Sequence, residues 1–287
     1  MNKRFLRSIP EELRINVKEV VDYITLRLRY YILDFANRNK YVVGLSGGVD
    51  SSVTTYLAVK SLGRNNVHVL LLPSSSTPKQ DIEDAYELIN FLNIPKENVA
   101  YIEIDEIVEE VSNLLGVKDS LGVGNIKARV RMIILHEYAH KVKGLVLGTG
   151  DKSEITIGYF TKYGDSGVDV LPIGDLYKTQ VRQIAAEIGL PERIYIKSPS
   201  PALWQGQTAE SELGIDYLTL DRILYRKIEL WMDDEEEISK ELNVPIATVE
   251  KITNMIKNSQ HKRLPPEIFK ISFRSHGSDW RYPREWK

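Results

Sequence analysis

The chain has no cysteine. That excludes disulfides, thiolate metal sites and a cysteine nucleophile, and it fits a reducing compartment. No run of about 18 apolar residues occurs, so no segment reads as a transmembrane helix. The opening MNKRFLRSIPEELR lacks the apolar core of a secretory signal, and the expected location is cytoplasmic. Neither sign of charge dominates. The 38 basic and 40 acidic residues leave a net charge of −2, so no overall basic field argues for nucleic acid as a partner.

What is present suits an ordinary globular protein: 287 residues, 43% hydrophobic and 27% charged. A chain of this length can bury about three-quarters of its unfolded surface. Apolar residues recur at helical spacing from about Pro10 to Asn39, through Leu13, Val17, Val20, Ile24, Leu28 and Ile32. Short apolar runs then alternate with helical stripes. Strands are expected at Tyr41–Leu45, Asn66–Pro73, Val99–Asp105 and Gly144–Asp151. Helices are expected after each of the first three, one of them over Pro78–Ile94 and another across GNIKARVRM. Such alternation predicts βαβ units and an α/β fold with a doubly wound, mostly parallel sheet and helices on both faces.

Residues 152–172, rich in Gly, Thr, Tyr and Asp, read as a long functional loop. From Asp175 onward the pattern is mostly helical, and the run DDEEE at Asp233–Glu237 suits a solvated helix start. The expected organisation is a single unit over residues 1–287. Its parts are an N-terminal helix over 10–39, a nucleotide-binding core over 36–200, and a helical C-terminal part with its tail over 205–287. The tail, from His261, mixes proline, aromatics and arginine, and reads as a strap or a loose end.

The most informative stretch is YVVGLSGGVDSSV, Tyr41–Val53. A buried strand runs into two glycines and then a helix. Gly47 and Gly48 permit a tight turn, and the helix start directs its free N–H groups and positive dipole end at that turn, forming an anion site. Ser46, Ser51 and Ser52 add hydroxyls. Asp50 would repel a phosphate unless a cation lies between them, so its presence predicts Mg²⁺. The Walker lysine is absent and the spacing is not G-x-G-x-x-G. The plainer alternative is a Gly-rich turn with Asp50 as a helix cap.

SGGVDSS resembles the pyrophosphatase-type P-loop, S-G-G-x-D-S, of the Rossmann-like adenine nucleotide α-hydrolase fold. Enzymes with this loop cleave ATP between the α- and β-phosphates and adenylate a substrate. Three further stretches, GNIKARVRM, LGTGDKSEITIGYFTKYGDSGVDVLP and QHKRLPP, resemble the ammonia-dependent NAD synthetases. The resemblance covers most of the chain. It implies a carbon–nitrogen ligase that amidates deamido-NAD with ammonia, with ATP as co-substrate and Mg²⁺ as cofactor, in the last step of NAD biosynthesis.

The same resemblance assigns residues. ATP contacts fall on Gly44, Leu45, Ser46, Gly47, Gly48, Val49, Asp50 and Ser51, and on Thr149, Lys178 and Ser200. Ser200 stands where the family usually has threonine, and the neighbouring Pro201 and Leu203 depart further. Gln80, after the second strand, is an added ATP candidate, and Leu70–Pro73 would pack under the adenine. Asp50 and Glu154 would hold the metal. Arg129, Lys162, Asp169, His261 and Lys262 match deamido-NAD contacts. Asp50, Glu154, Lys178 and Asp169 form the expected catalytic set, Asp169 as a substrate contact first and a base second. Tyr159, Phe160 and Tyr163 either stack on a flat ring or belong to the core. On the helix of GNIKARVRM, Ile126, Val130 and Ile133 would form the core stripe, with Arg129 and Arg131 flanking it.

The family's glutaminase domains use a cysteine nucleophile, so no glutaminase domain in cis is expected and free ammonia is the donor. Family members are homodimers, and the apolar first helix would supply part of such an interface. Loops 74–78 and 200–212 would act as lids. Two other readings stand beside this one. A tRNA-modifying ligase with the same loop would need a basic face. A non-catalytic ATP-binding module would have little need for both Asp50 and Glu154.

Overall fold

The computed structural model describes residues 3–200, 202–204, 206–276 and 280. Four parallel strands make one sheet in the order β3-β2-β1-β4: β1 (Tyr41–Gly44), β2 (Val67–Leu71), β3 (Val99–Tyr101) and β4 (Leu145–Leu147). The order reverses direction at β1, so a crevice opens at the carboxyl ends of β1 and β4. All four expected strands are present, each shorter than its apolar run.

Fourteen helices are present among the described residues. They begin with α1 (Lys3–Ser8), α2 (Val17–Tyr30), α3 (Val49–Leu62), α4 (Lys79–Phe91), α5 (Asp105–Leu115) and α6 (Ser120–Val142). Next come α7 (Lys152–Ile157), α8 (Lys178–Glu187), α9 (Glu192–Ile196) and α10 (Ala209–Leu213). The last are α11 (Tyr217–Ile228), α12 (Glu235–Leu242), α13 (Ile246–Asn258) and α14 (Gln260–Arg263). None is long and apolar enough to cross a membrane.

Alternation along the strands separates two cores. Tyr41, Val43, Val67, Val69 and Leu147 face one cluster with Val53 and Leu57 of α3, Leu28 of α2 and Val181 and Ile184 of α8. Val42, Leu70 and Val146 face the other, with Val108 of α5 and Ile126 and Val130 of α6. Helices therefore cover both faces of the sheet. Each such side chain stabilises the fold by about 1.5–3 kcal/mol through burial. A third cluster, with Leu220, Leu224, Ile238 and Val249, joins α11, α12 and α13. Ile9, Leu13, Ile157 and Tyr177 enter it from elsewhere in the chain. Asp234 caps α12, accepting from Glu236 and Glu237 N–H, so the acidic run does begin a helix.

Three expectations change. The single helix over 10–39 is broken: Glu11–Leu13 is a 3₁₀ turn, and Asn16 caps a new helix by accepting from Glu19 N–H. Leu13 keeps the helical spacing but packs with the C-terminal cluster instead. The segment 152–172 is not all loop, because Asp151 Oδ1 accepts from Glu154 N–H and starts α7. Ile133 is 56% exposed and lies outside the core stripe of α6, while Lys127 of the same helix is buried. In the tail, Phe269, Ile271 and Phe273 are exposed. Pro201 and the tail residues 277–279 and 281–287 lie outside the described residues.

Candidate active site

The turn after β1 lines a cleft of about 510 Å³. Gly47 has φ +81°, and a Cβ there would lie 2.0 Å from Asp81 O, so the position accepts glycine only. Gly48 is different: its φ of −80° suits any residue. It is the N-cap of α3, and its carbonyl accepts the hydroxyls of Ser51 (3.1 Å) and Ser52 (2.8 Å). Ser52 is fully buried, so its hydroxyl serves the helix and not a ligand. Ser46 Oγ lies 3.0 Å from Ser51 Oγ at the cleft edge. The N–H groups of the first turn of α3 have no intrahelical partners, and their dipole end favours an anion.

Leu70, Leu71, Leu72, Pro73, Ile82 and Ala85 give the cleft an apolar wall. Thr149, Glu154, Tyr159, Phe160 and Ser200 line other sides. Apolar walls with a few convergent polar groups are what a nucleoside needs.

Beside the turn lies a compact charge cluster. Lys178, the first residue of α8, is fully buried. Its Nζ donates to Asp50 Oδ2 at 2.7 Å and to Glu154 Oε1 at 2.8 Å, and Asp151 Oδ2 lies 3.0 Å away. Asp50 sits in the first turn of α3 and is not its cap. Glu154 keeps a fifth of its side chain exposed, on the cleft side. Three carboxylates thus share one ammonium, and Asp50 Oδ1 is buried with no hydrogen-bond partner.

Burial pushes the Asp151 carboxyl up to about 7 and that of Glu154 up to about 8, against the pull of Lys178. Desolvation opposes the charge on Lys178, yet Asp151, Asp50 and Glu154 together hold its ammonium well above the usual lysine value. Behind them burial raises Asp221 to about 6, against hydrogen bonds from Ser153 and Thr179. Asp151 and Glu154 face the same ammonium, so the protons on these two carboxyls belong to the pair and not to independent sites. Asp50 and Glu154 line the cleft with hard oxygen atoms, and the unpartnered Asp50 Oδ1 is of the kind that could hold a small divalent cation.

The NAD synthase family profile matches residues 20–266. The chain belongs to the NAD synthase family. It is 56% identical to an NH₃-dependent NAD⁺ synthetase of Saccharolobus solfataricus, over 97% of this chain and 98% of that protein. Among solved structures it is similar to an NMN synthetase from Francisella tularensis, with a TM-score of 0.76 and 32% identity over 92% of this chain and 100% of the other. It also resembles an NH₃-dependent NAD synthetase from Campylobacter jejuni in complex with nitrate, with a TM-score of 0.74 and 26% identity over 89% and 100% of the two chains.

Within this NAD synthase fold the expected residues fall into three groups. Gly44, Leu45, Ser46, Gly48, Val49, Asp50, Ser51, Thr149, Glu154, Ser200 and Lys262 line the cleft. Gly47 shapes the turn, and Lys178 lies beneath Asp50 and Glu154 without lining the cleft. The remainder stand apart. Gln80 is turned to Asp84, donating to Oδ1 at 3.1 Å. Arg129 NH2 donates to Lys162 O, and Lys162 Nζ donates to His261 O, so these three are linked on one partly exposed patch. Asp169 is exposed, with Oδ2 accepting from Val146 N–H at 2.7 Å. Tyr159 and Phe160 line the cleft, whereas Tyr163 is 53% exposed.

Sequence reading missed three residues that the structure places at the cleft, in its charge cluster or behind it. Asp151 carried a signal, since an Asp three residues before Glu154 is a helix-start pattern. Lys197, paired with Asp81 beside the glycine turn, and Asp221, under α8, carried none.

Proposed function

We propose that the chain converts deamido-NAD, ATP and ammonia into NAD, AMP and pyrophosphate. The observation that carries this reading is the convergence of Asp50, Glu154 and Lys178 beside the glycine turn, in a chain of the NAD synthase family. The phosphates lie at the N-terminus of α3, where Gly47 lets the backbone approach closely. The adenine packs against Leu70–Pro73.

The reaction has two steps. A carboxylate oxygen of the nicotinate attacks the α-phosphorus of ATP, and the bond to the bridging oxygen breaks, releasing pyrophosphate. The product is an acyl adenylate. Ammonia then adds to its carbonyl carbon, and AMP leaves with the phosphate-linked oxygen while one proton is lost. Lys178 offsets negative charge near the leaving pyrophosphate. Thr149 and Ser200 orient the nucleotide.

Asp50 and Glu154 would hold Mg²⁺, which supplies charge neutralisation on the phosphates when bound. Among the described residues no three acidic or histidine side chains form a ready cage. That suits an ion which binds one or two carboxylates and completes its shell with phosphate oxygens and water. The hydrogen-bonded patch of Arg129, Lys162 and His261, with Lys262 nearby, would receive the anionic dinucleotide. Asp169 is a substrate contact in this reading, held in place by Val146 N–H.

Ammonia is the nitrogen source in this reading, supported by similarity to the NH₃-dependent synthetases. We place the protein in solution as a homodimer, paired in part through Tyr23 and Leu26 of α2, which are 63% and 66% exposed. Similarity to the Francisella NMN synthetase favours one second reading, in which the acceptor is nicotinate mononucleotide.

The test is one assay of purified protein with ATP, Mg²⁺, and deamido-NAD or nicotinate mononucleotide. Ammonium or glutamine is the donor, and NAD, AMP and pyrophosphate are followed. NAD and AMP in equal amounts from deamido-NAD and ammonium are expected. Amide product from the mononucleotide alone would shift the acceptor. AMP without either amide would leave adenylation standing and overturn the substrate.

A further inference from the structure

Helix α11 reaches the charge cluster with two side chains one turn apart. Tyr217 and Asp221 lie on one face of that helix, and both are fully buried. Neither lines the cleft. Tyr217 Oη donates to Glu154 Oε1 at 3.2 Å, the same oxygen that accepts from Lys178 Nζ. That Nζ also lies 5.1 Å from the centre of the Tyr217 ring, a range in which a cation is attracted to the ring face. Two donors on one oxygen fix the tilt of the carboxylate.

Asp221 acts one layer further back. Its Oδ1 accepts from Ser153 Oγ at 2.5 Å, and its Oδ2 accepts from Thr179 N–H at 2.8 Å. Ser153 Oγ, having given its proton to Asp221, accepts from Lys178 N–H at 2.9 Å. One carboxylate thereby ties the first turn of α7, which carries Glu154, to the first turn of α8, which carries Lys178. A neutral residue of the same shape could not accept both bonds.

We propose that Tyr217 and Asp221 are positioning residues for adenylation, so that the helical C-terminal part sets the geometry of Glu154 and Lys178. The inference rests on the functional reading above. Tyr217 aims Glu154 and shields Lys178 from water. Asp221 holds the two helix starts in register.

The experiment compares wild type, Tyr217→Phe and Asp221→Asn in steady-state turnover of deamido-NAD with ATP, Mg²⁺ and ammonium, and in thermal unfolding. Tyr217→Phe keeps the ring and its packing and removes only the hydroxyl. It is expected to lower kcat about ten-fold, the scale of one hydrogen bond to a charged group. Its KM for deamido-NAD should stay within about two-fold and its Tm within a few degrees, since no substrate contact and no packing is lost. Asp221→Asn should show a larger fall in kcat with the same KM. A Tyr217→Phe kcat within about two-fold of an active wild type overturns the positioning role alone. So does a kcat loss that only tracks a lowered Tm. An inactive wild type overturns the functional reading, and this inference with it.

Discussion

Replacing Lys178 with methionine tests the charge cluster directly. The substitution removes the ammonium and keeps most of the buried stem. Asp50, Asp151 and Glu154 then lose their common cation, at contacts of 2.7, 3.0 and 2.8 Å. Breaking a buried pair by removing one partner costs about 3–5 kcal/mol, because the remaining charge is left uncompensated. Three carboxylates depend on one lysine here, so the upper half of that range applies when they are ionised.

The loss must depend on pH. In the wild-type fold, burial holds Asp151 at about 7 and Glu154 at about 8, above their unfolded values. Between the unfolded and folded values the native state binds more protons, so stability falls as pH rises through that window. Without Lys178 the pull that lowers both groups is gone. The window then extends to higher pH and the fall is steeper. Lys178 is itself raised, so its contribution is fully present below its unfolded value and is lost only in strong alkali. It leaves this window unaffected. Near pH 5 Asp151 and Glu154 carry protons and need no counter-ion, and the variant should lose about 1–2 kcal/mol of hydrogen bonding. At about 2–4 °C per kcal/mol, the drop in Tm should be roughly 4 °C at pH 5 and roughly 10 °C or more at pH 8. The assay is thermal unfolding by circular dichroism, in buffer free of metal and nucleotide. Equal drops at both pH values, or a larger drop at pH 5, would refute the account.

Three further outcomes are expected. Asp50→Asn should keep its Tm within a few degrees and lose about a hundred-fold or more in turnover; a near-normal rate would remove Asp50 from the mechanism. Gly47→Ala places a Cβ 2.0 Å from Asp81 O at a φ of +81°, so calorimetry should find ATP binding abolished or stability lowered by about 3 kcal/mol, and intact binding with unchanged stability would contradict the turn geometry. Lys127→Met removes a buried ammonium that donates to Ser76 Oγ and Leu203 O, both at 2.9 Å. Limited proteolysis should then cut faster within loops 74–78 and 200–212, whereas an unchanged cleavage pattern would mean that Lys127 does not hold them.

Much of the architecture was legible because its signals are local. Four apolar runs alternating with helical stripes specify a parallel sheet with two covered faces. A Gly-Gly pair after an apolar run specifies a tight turn into a helix start, which the structure has at Gly47 and Gly48. The 10–39 segment misled for a physical reason: Leu13 preserves the 3.6-residue period but answers to a different core, in the cluster with Leu220 and Val249. Periodicity records that a residue is apolar at the right spacing and not which neighbour buries it. Ile133 shows the same limit in reverse, apolar at the right spacing and 56% exposed.

The sequence by itself determined the reaction class and the family, since a phosphate turn depends on backbone conformation and near-neighbour residue types. Only the tertiary structure decided how the charges are shared. Lys178 meets Asp50 across 128 residues and Glu154 across 24, while Asp221 reaches Thr179 across 42. No periodicity or spacing rule links such positions. A lysine becomes the common counter-ion of three carboxylates only when packing removes water from Lys178 and Asp151 and most of it from Asp50 and Glu154. That loss of water raises Asp151 and Glu154 and makes the supporting bonds from Tyr217 and Asp221 matter.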